Sequence, residues 1–119
     1  RWRGGDENGL QQLTEDDTRV AGLQRAGKIS EYEARNHPAR NMLSKALGAG
    51  NQYVSPQVET VGLERGDRCL ICSDGVTDGI WDSGISRLLK NGADAGQIVD
   101  QAVKASGRDN ATAIVMDIL

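Results

Sequence analysis

Val20, Leu23 and Ala26 recur at helical spacing, and Gly27 closes the run. Thr14 with Glu15, Asp16 and Asp17 behind it reads as the entrance to that helix. A hydroxyl there caps free amides, and acidic residues suit the positive end of the helix dipole. Ser30 and Glu33 have the spacing of a capping box, which predicts a second short helix over 31–36, stopped by Pro38. Met42, Ala46 and Leu47 predict another turn or two of helix before Gly48. The pattern then changes. Residues 54–61 read as extended, 64–67 as a turn, and 68–72 as a short apolar strand. Asp74-Gly75 and Asp78-Gly79 read as turn punctuation. Ser83 is expected to cap a helix through Ile85, Leu88 and Leu89, which Gly92 ends. Asp94 caps another through Ile98, Val99, Ala102 and Val103, which Gly107 ends. Residues 111–119, nearly all apolar up to Asp117, form a closing strand.

At the other end, residues 1–3 read as the end of a strand, 4–9 as a turn and 10–13 as a returning strand. A chain that opens inside a hairpin suggests truncation. Strands and helices mix without regular alternation, so the fold class expected is α+β.

Composition narrows the function classes. The chain has 119 residues, suited to one domain or part of one. Apolar residues make up 38%, and 15 glycines bring the total near the globular norm, so a packed core is expected. Phenylalanine is absent and the aromatics are Trp2, Tyr32, Tyr53 and Trp81, so the core is aliphatic. Few stacking platforms and a net charge of -3 argue against a nucleic-acid partner. No apolar run reaches membrane-spanning length, and no leader opens the chain, so no membrane partner and a cytoplasmic location are expected. Cys69 and Cys72 form a Cys-x-x-Cys pair inside an apolar strand, where side chains three apart point to opposite faces. With His37 the only histidine, zinc lacks ligands, and two reduced core cysteines are expected.

Two places could carry chemistry. Asp74 follows an apolar strand directly, and Gly75 lets the chain turn and a ligand approach. Asp109-Asn110 lies between a helix end and the last strand. If those strands are neighbours, Asp74 and Asp109 converge, and two carboxylates without soft ligands suit magnesium or manganese. Asp-Gly is also a common turn pair. The residues alone leave a metal site and a plain loop as alternatives. The cluster Glu15-Asp16-Asp17 is explained by helix entry.

The stretches 72–80 (Cys-Ser-Asp-Gly-Val-Thr-Asp-Gly-Ile) and 106–115 (Ser-Gly-Arg-Asp-Asn-Ala-Thr-Ala-Ile-Val) resemble the last two signature motifs of the type 2C protein phosphatases. The segments 12–16, 26–29, 33–41 and 46–48 resemble the flap region of the bacterial members. The resemblance covers essentially the whole chain. It implies part of a four-layer α-β-β-α sandwich with two antiparallel sheets, its N-terminal half absent, and a flap over about 14–50. It also implies metal-dependent hydrolysis of phosphoserine and phosphothreonine in proteins by a metal-activated water. Asp74 and Asp109 would be metal ligands, with Gly75 and Asn110 supporting them. The cofactors would be Mn2+ or Mg2+, as a binuclear pair in the complete domain. The partner would be a phosphorylated protein substrate.

Some of the family pattern is missing. The phosphate-binding arginine, an acidic pair and the Asp-Gly-x-Gly-Gly-His motif of the N-terminal half have no counterpart here. Asp17 stands where the family usually has histidine. Two carboxylates balance one divalent ion, so this segment alone is expected to hold one mostly hydrated metal. Three accounts follow: a piece of a full enzyme, a chain paired with a separate N-terminal half, or a degenerate interaction module.

Overall fold

The computed structural model describes residues 1–5, 9–48, 50, 54–107 and 109–119. The middle of the expected N-terminal turn (Asp6, Glu7, Asn8), Tyr53 and Arg108 of the second motif lie outside the described residues. The chain divides into two compact units, one of residues 14–60 and one of residues 1–13 with 61–119.

In the unit 14–60, helix α1 spans Arg19–Arg25. It starts four residues after the expected entrance. Thr18, not Thr14, is the cap, its hydroxyl accepting from the Ala21 N–H at 3.0 Å. The acidic residues expected in the first turn are engaged elsewhere: Asp17 pairs with Lys45 at 2.9 Å, and Glu15 with Arg25. Helix α2, Glu31–Asn36, matches its expectation. The Glu33 N–H donates to Ser30 Oγ at 3.2 Å, and the Ser30 N–H donates to Glu33 Oε2 at 2.7 Å. His37 has a local structural role, its Nδ1 accepting from the Ala39 N–H at 3.1 Å. The helical turns expected around Met42, Ala46 and Leu47 do not form. Leu43 instead bridges to Thr18, and the Ser44 N–H donates to the Asp17 carbonyl at 2.8 Å. A backbone already bonded across to another segment cannot also close a helical turn.

In the other unit, strand β1 spans Arg68–Cys72 and pairs antiparallel with β2, Ala113–Asp117, in the register Arg68↔Asp117 to Cys72↔Ala113. The expected hairpin at the N-terminus reduces to isolated bridges. Trp2 pairs with Leu10 on one side and with Arg68 on the other. The turn before β1 forms as expected, with Gly66 at φ +92°, a conformation open mainly to glycine. Asp67, 1% exposed, receives two bonds from the Arg3 guanidinium, Nε to Oδ1 and Nη2 to Oδ2, each 2.7 Å. That bidentate pair ties the N-terminal segment to the start of β1.

Three helices lie between the strands. Helix α3, Asp74–Gly79, replaces the expected turns. Helix α4, Asp82–Lys90, opens one residue before Ser83, with Trp81 at the cap position and no capping side chain. Its C-terminal end is held by Arg68, which donates to the carbonyls of Leu89 at 2.8 Å and Ala93 at 3.0 Å. Helix α5, Ala95–Ala105, carries the expected cap: Asp94 accepts from the Gln97 N–H at 2.8 Å, completing a capping box. The core gathers Val76, Ile80, Ile85, Leu89, Ala93, Ile98 and Ala102, with Leu70 and Val115 packed against it from the sheet. β1 forms where the apolar strand was expected and is only partly buried. Leu70 faces the core, while Ile71 is 56% exposed on the other face, beside its register partner Ile114 and near Met116. Cys69 is buried and Cys72 half-buried, and both are free thiols.

Candidate metal site

The β1–β2 pairing decides where the two candidate aspartates go. Cys72↔Ala113 is the last register pair, so β1 runs out towards Asp74 at the same sheet end from which β2 arrives after Asp109. Backbone and side chain both extend the closure past that pair. The Ser73 N–H donates to the Thr112 carbonyl at 3.0 Å. The Thr112 N–H donates to Ser73 Oγ at 3.0 Å, and the same hydroxyl reaches the Asn110 carbonyl at 3.5 Å.

Gly75 then presses directly on the other segment. A Cβ at Gly75 would lie 2.2 Å from the Asn110 carbonyl oxygen. One helical turn later, a Cβ at Gly79 would lie 2.5 Å from the Ala102 carbonyl oxygen. Residues four apart share a helix face, so Gly75 and Gly79 form one smooth side of α3 laid against the α5–β2 chain. This is the physical reason for a helix where turns were expected: the glycines serve close approach rather than chain reversal.

Asp74 and Asp109 are therefore each one residue from a point of backbone contact, Gly75 against Asn110. Both carboxylates are exposed. Asn110 acts on its neighbour through the backbone, its N–H donating to Asp109 Oδ1 at 2.7 Å. Beside Asp109 lies an open groove of about 570 Å³ lined by Val103, Gly107, Asp109, Asn110 and Ala111. Ionised carboxylates are acceptors only, and Cys72 turns towards the core. The donor set is thus hard oxygen, which fits magnesium or manganese. Among the described residues, no three or more His, Cys, Asp or Glu side chains gather into a metal-binding group. The sequence reading gave no separate role to Ser73. Its signal was a serine directly before the Asp74-Gly75 pair, where a hydroxyl can bond the local backbone or a neighbouring segment.

No family model matches the chain. Individual proteins do. It is 35% identical over 113 residues to the serine/threonine protein phosphatase PstP of Mycobacterium tuberculosis, covering 92% of this chain and 22% of that protein. It is 34% identical over 112 residues to the serine/threonine phosphatase stp of Listeria monocytogenes, covering 91% of this chain and 44% of that one. The crystal structure of the M. tuberculosis phosphatase PstP/Ppp superposes with a TM-score of 0.80 at 34% identity, over 95% of this chain and 48% of that chain. The chain belongs to the bacterial serine/threonine phosphatase family. It spans less than half the length of these curated relatives. Its small antiparallel sheet and helices form an α+β part of the phosphatase 2C-like fold. The catalytic domain of PstP in complex with two manganese ions is a further family member of like structure, at TM-score 0.70 and 31% identity over 97% of this chain and 48% of that one.

Proposed function

We propose that the protein containing this chain hydrolyses phosphoserine and phosphothreonine in proteins with the aid of manganese or magnesium, and that Asp74 and Asp109 are two of the metal ligands. The observation that carries the reading is the closure of Ser73 and Gly75 onto the 110–112 segment, which brings two exposed carboxylates to one sheet end. When bound, the ion supplies a water of lowered pKa near neutral pH and offsets charge on the phosphoryl oxygens. The chain's own residues supply placement. Gly75 allows the two acidic segments to touch, and the Asn110 N–H orients the Asp109 carboxylate. Remaining ligands and phosphate contacts would come from the part of the relatives' length that this chain does not span. The separate unit of residues 14–60 supports assigning about 14–50 to a flap segment, and a cytoplasmic location is part of the same proposal.

The test uses the full-length gene product and a phosphothreonine peptide. Phosphate release should require manganese or magnesium and collapse in Asp74→Asn and Asp109→Asn. Equal rates in chelator and in manganese would refute the reading. A second reading, a non-catalytic interaction module, draws on one observation: Ile71, Ile114 and Met116 leave an apolar strip on the outer sheet face. It predicts self-association of the 119-residue chain in sedimentation, and a clean monomer would count against it.

A further inference from the structure

Ser73 holds the N-cap position of α3, with extended backbone at φ -76°, ψ 165°, yet its side chain makes no cap bond. A serine at that position ordinarily turns its hydroxyl onto the first amides of its own helix. Here the hydroxyl turns away, accepting from the Thr112 N–H at 3.0 Å and reaching the Asn110 carbonyl at 3.5 Å. Its own N–H donates to the Thr112 carbonyl at 3.0 Å. One residue thus makes both a backbone and a side-chain link to the segment that follows Asp109, while its C-terminal neighbour is Asp74.

We propose that Ser73 is a positioning residue for the metal pair, its hydroxyl fixing the separation of Asp74 and Asp109 rather than capping a helix. The proposal rests on the metal role assigned to those aspartates. The backbone link remains whatever side chain stands at 73. The hydroxyl link is the part a substitution removes, and with it the restraint on the 110–112 loop from the Asp74 side. The neighbouring contact of Gly75 with Asn110 prevents closer approach, so the hydroxyl bond and the glycine contact together set both limits on the gap. Outer groups that orient ligands act on metal affinity, typically about 10–100-fold each.

The experiment measures manganese binding to the full-length protein through the electron paramagnetic resonance signal of free Mn2+, beside hydrogen exchange of the Thr112 amide. Ser73→Ala is expected to weaken manganese binding by about 10–100-fold and to speed exchange of the Thr112 amide. Ser73→Thr, which keeps the hydroxyl, should restore both. Asp74→Asn and Asp109→Asn are measured alongside. If they lose manganese while Ser73→Ala binds it normally, the positioning role is overturned and the metal reading stands. A lowered melting temperature of Ser73→Ala with unchanged manganese affinity likewise overturns it, since a merely structural role predicts that result. If the two asparagine variants bind manganese as the wild type does, the metal reading itself fails, and the role of Ser73 fails with it.

Discussion

Replacing Gly75 by alanine places a methyl group 2.2 Å from the Asn110 carbonyl oxygen. Real contacts of this kind stay beyond 3.0 Å, so the two segments must separate by about 0.8 Å. The opposing atom belongs to the backbone and cannot rotate aside. Nor can α3 move freely, because Val76 and Ile80 anchor it in the core at 0% and 4% exposure. Overpacking of this kind costs about 1–3 kcal/mol, and a backbone clash sits at the upper end. Alanine returns about 1 kcal/mol through its better helix propensity. The net expectation is a loss of about 2 kcal/mol, or roughly 4–8 °C in melting temperature for a domain of 150–250 residues. Gly62→Ala is the control, since no atom lies within 4 Å of its added Cβ, and it should change stability by less than about 0.5 kcal/mol. Calorimetric melts of both variants in the full-length protein decide the matter. If Gly75→Ala melts together with Gly62→Ala, the close approach that brings the two acidic segments together is not there.

Other perturbations test other parts of the fold. Leu89→Ala empties a fully buried site and should cost about 2–5 kcal/mol, read as a lower urea midpoint at unchanged slope, whereas Leu47→Ala, at an 89% exposed position, should stay within about 0.5 kcal/mol. Hydrogen bonds from Arg3 hold the Asp67 carboxyl well below the usual carboxylate range, against the opposing effect of its burial. Its stabilising contribution is therefore present above the unfolded value of about 3.9 and is lost as pH falls through the folded value. Asp67→Asn should melt below the wild type at pH 7, and the difference should shrink once pH drops under about 4. A gap that stays constant to pH 2 would show that the pair does not titrate this way. Asp94→Ala removes the cap of α5 and should cost about 0.5–2 kcal/mol in thermal melts.

What could be read in the sequence was what short-range chemistry decides. The Ser30–Glu33 box and the Asp94 cap each act within four residues, so pattern alone located α2 and α5. Where two sites competed, tertiary partners chose: Lys45 draws Asp17 aside, and Thr18 rather than Thr14 opens α1. Trp81 at the start of α4 offers no capping side chain, and so gave no signal. The glycines of α3 misled because a helix needing a flat face uses the same residue as a turn. Leu70 and Ile71 were equally apolar in sequence, and only the face on which the helical core packs separates them. At the site, the convergence of Asp74 and Asp109 depended on β1 and β2 being neighbours, which pairing alone could decide. The hydroxyl of Ser73 reaches 39 residues along the chain, beyond any local rule.

The β1–β2 register has parity as well as phase. A slip of one residue would turn Leu70 or Val115 out to solvent, so the core forbids every odd displacement. A slip of two would keep the faces and cost the core far less, yet it would carry the two acidic ends about 7 Å past each other. The Ser73–Thr112 closure and the Gly75 contact at one sheet end, with the backbone bonds of Gly66 and Asp67 to Ile118 and the Arg68–Asp117 pair at the other, discriminate against that even displacement. Burial thus selects which side chains point inward, and a few polar atoms at the two sheet ends select which copy of that pattern is used. A mutant could then fold with an intact core and still misplace its carboxylates by a whole strand repeat.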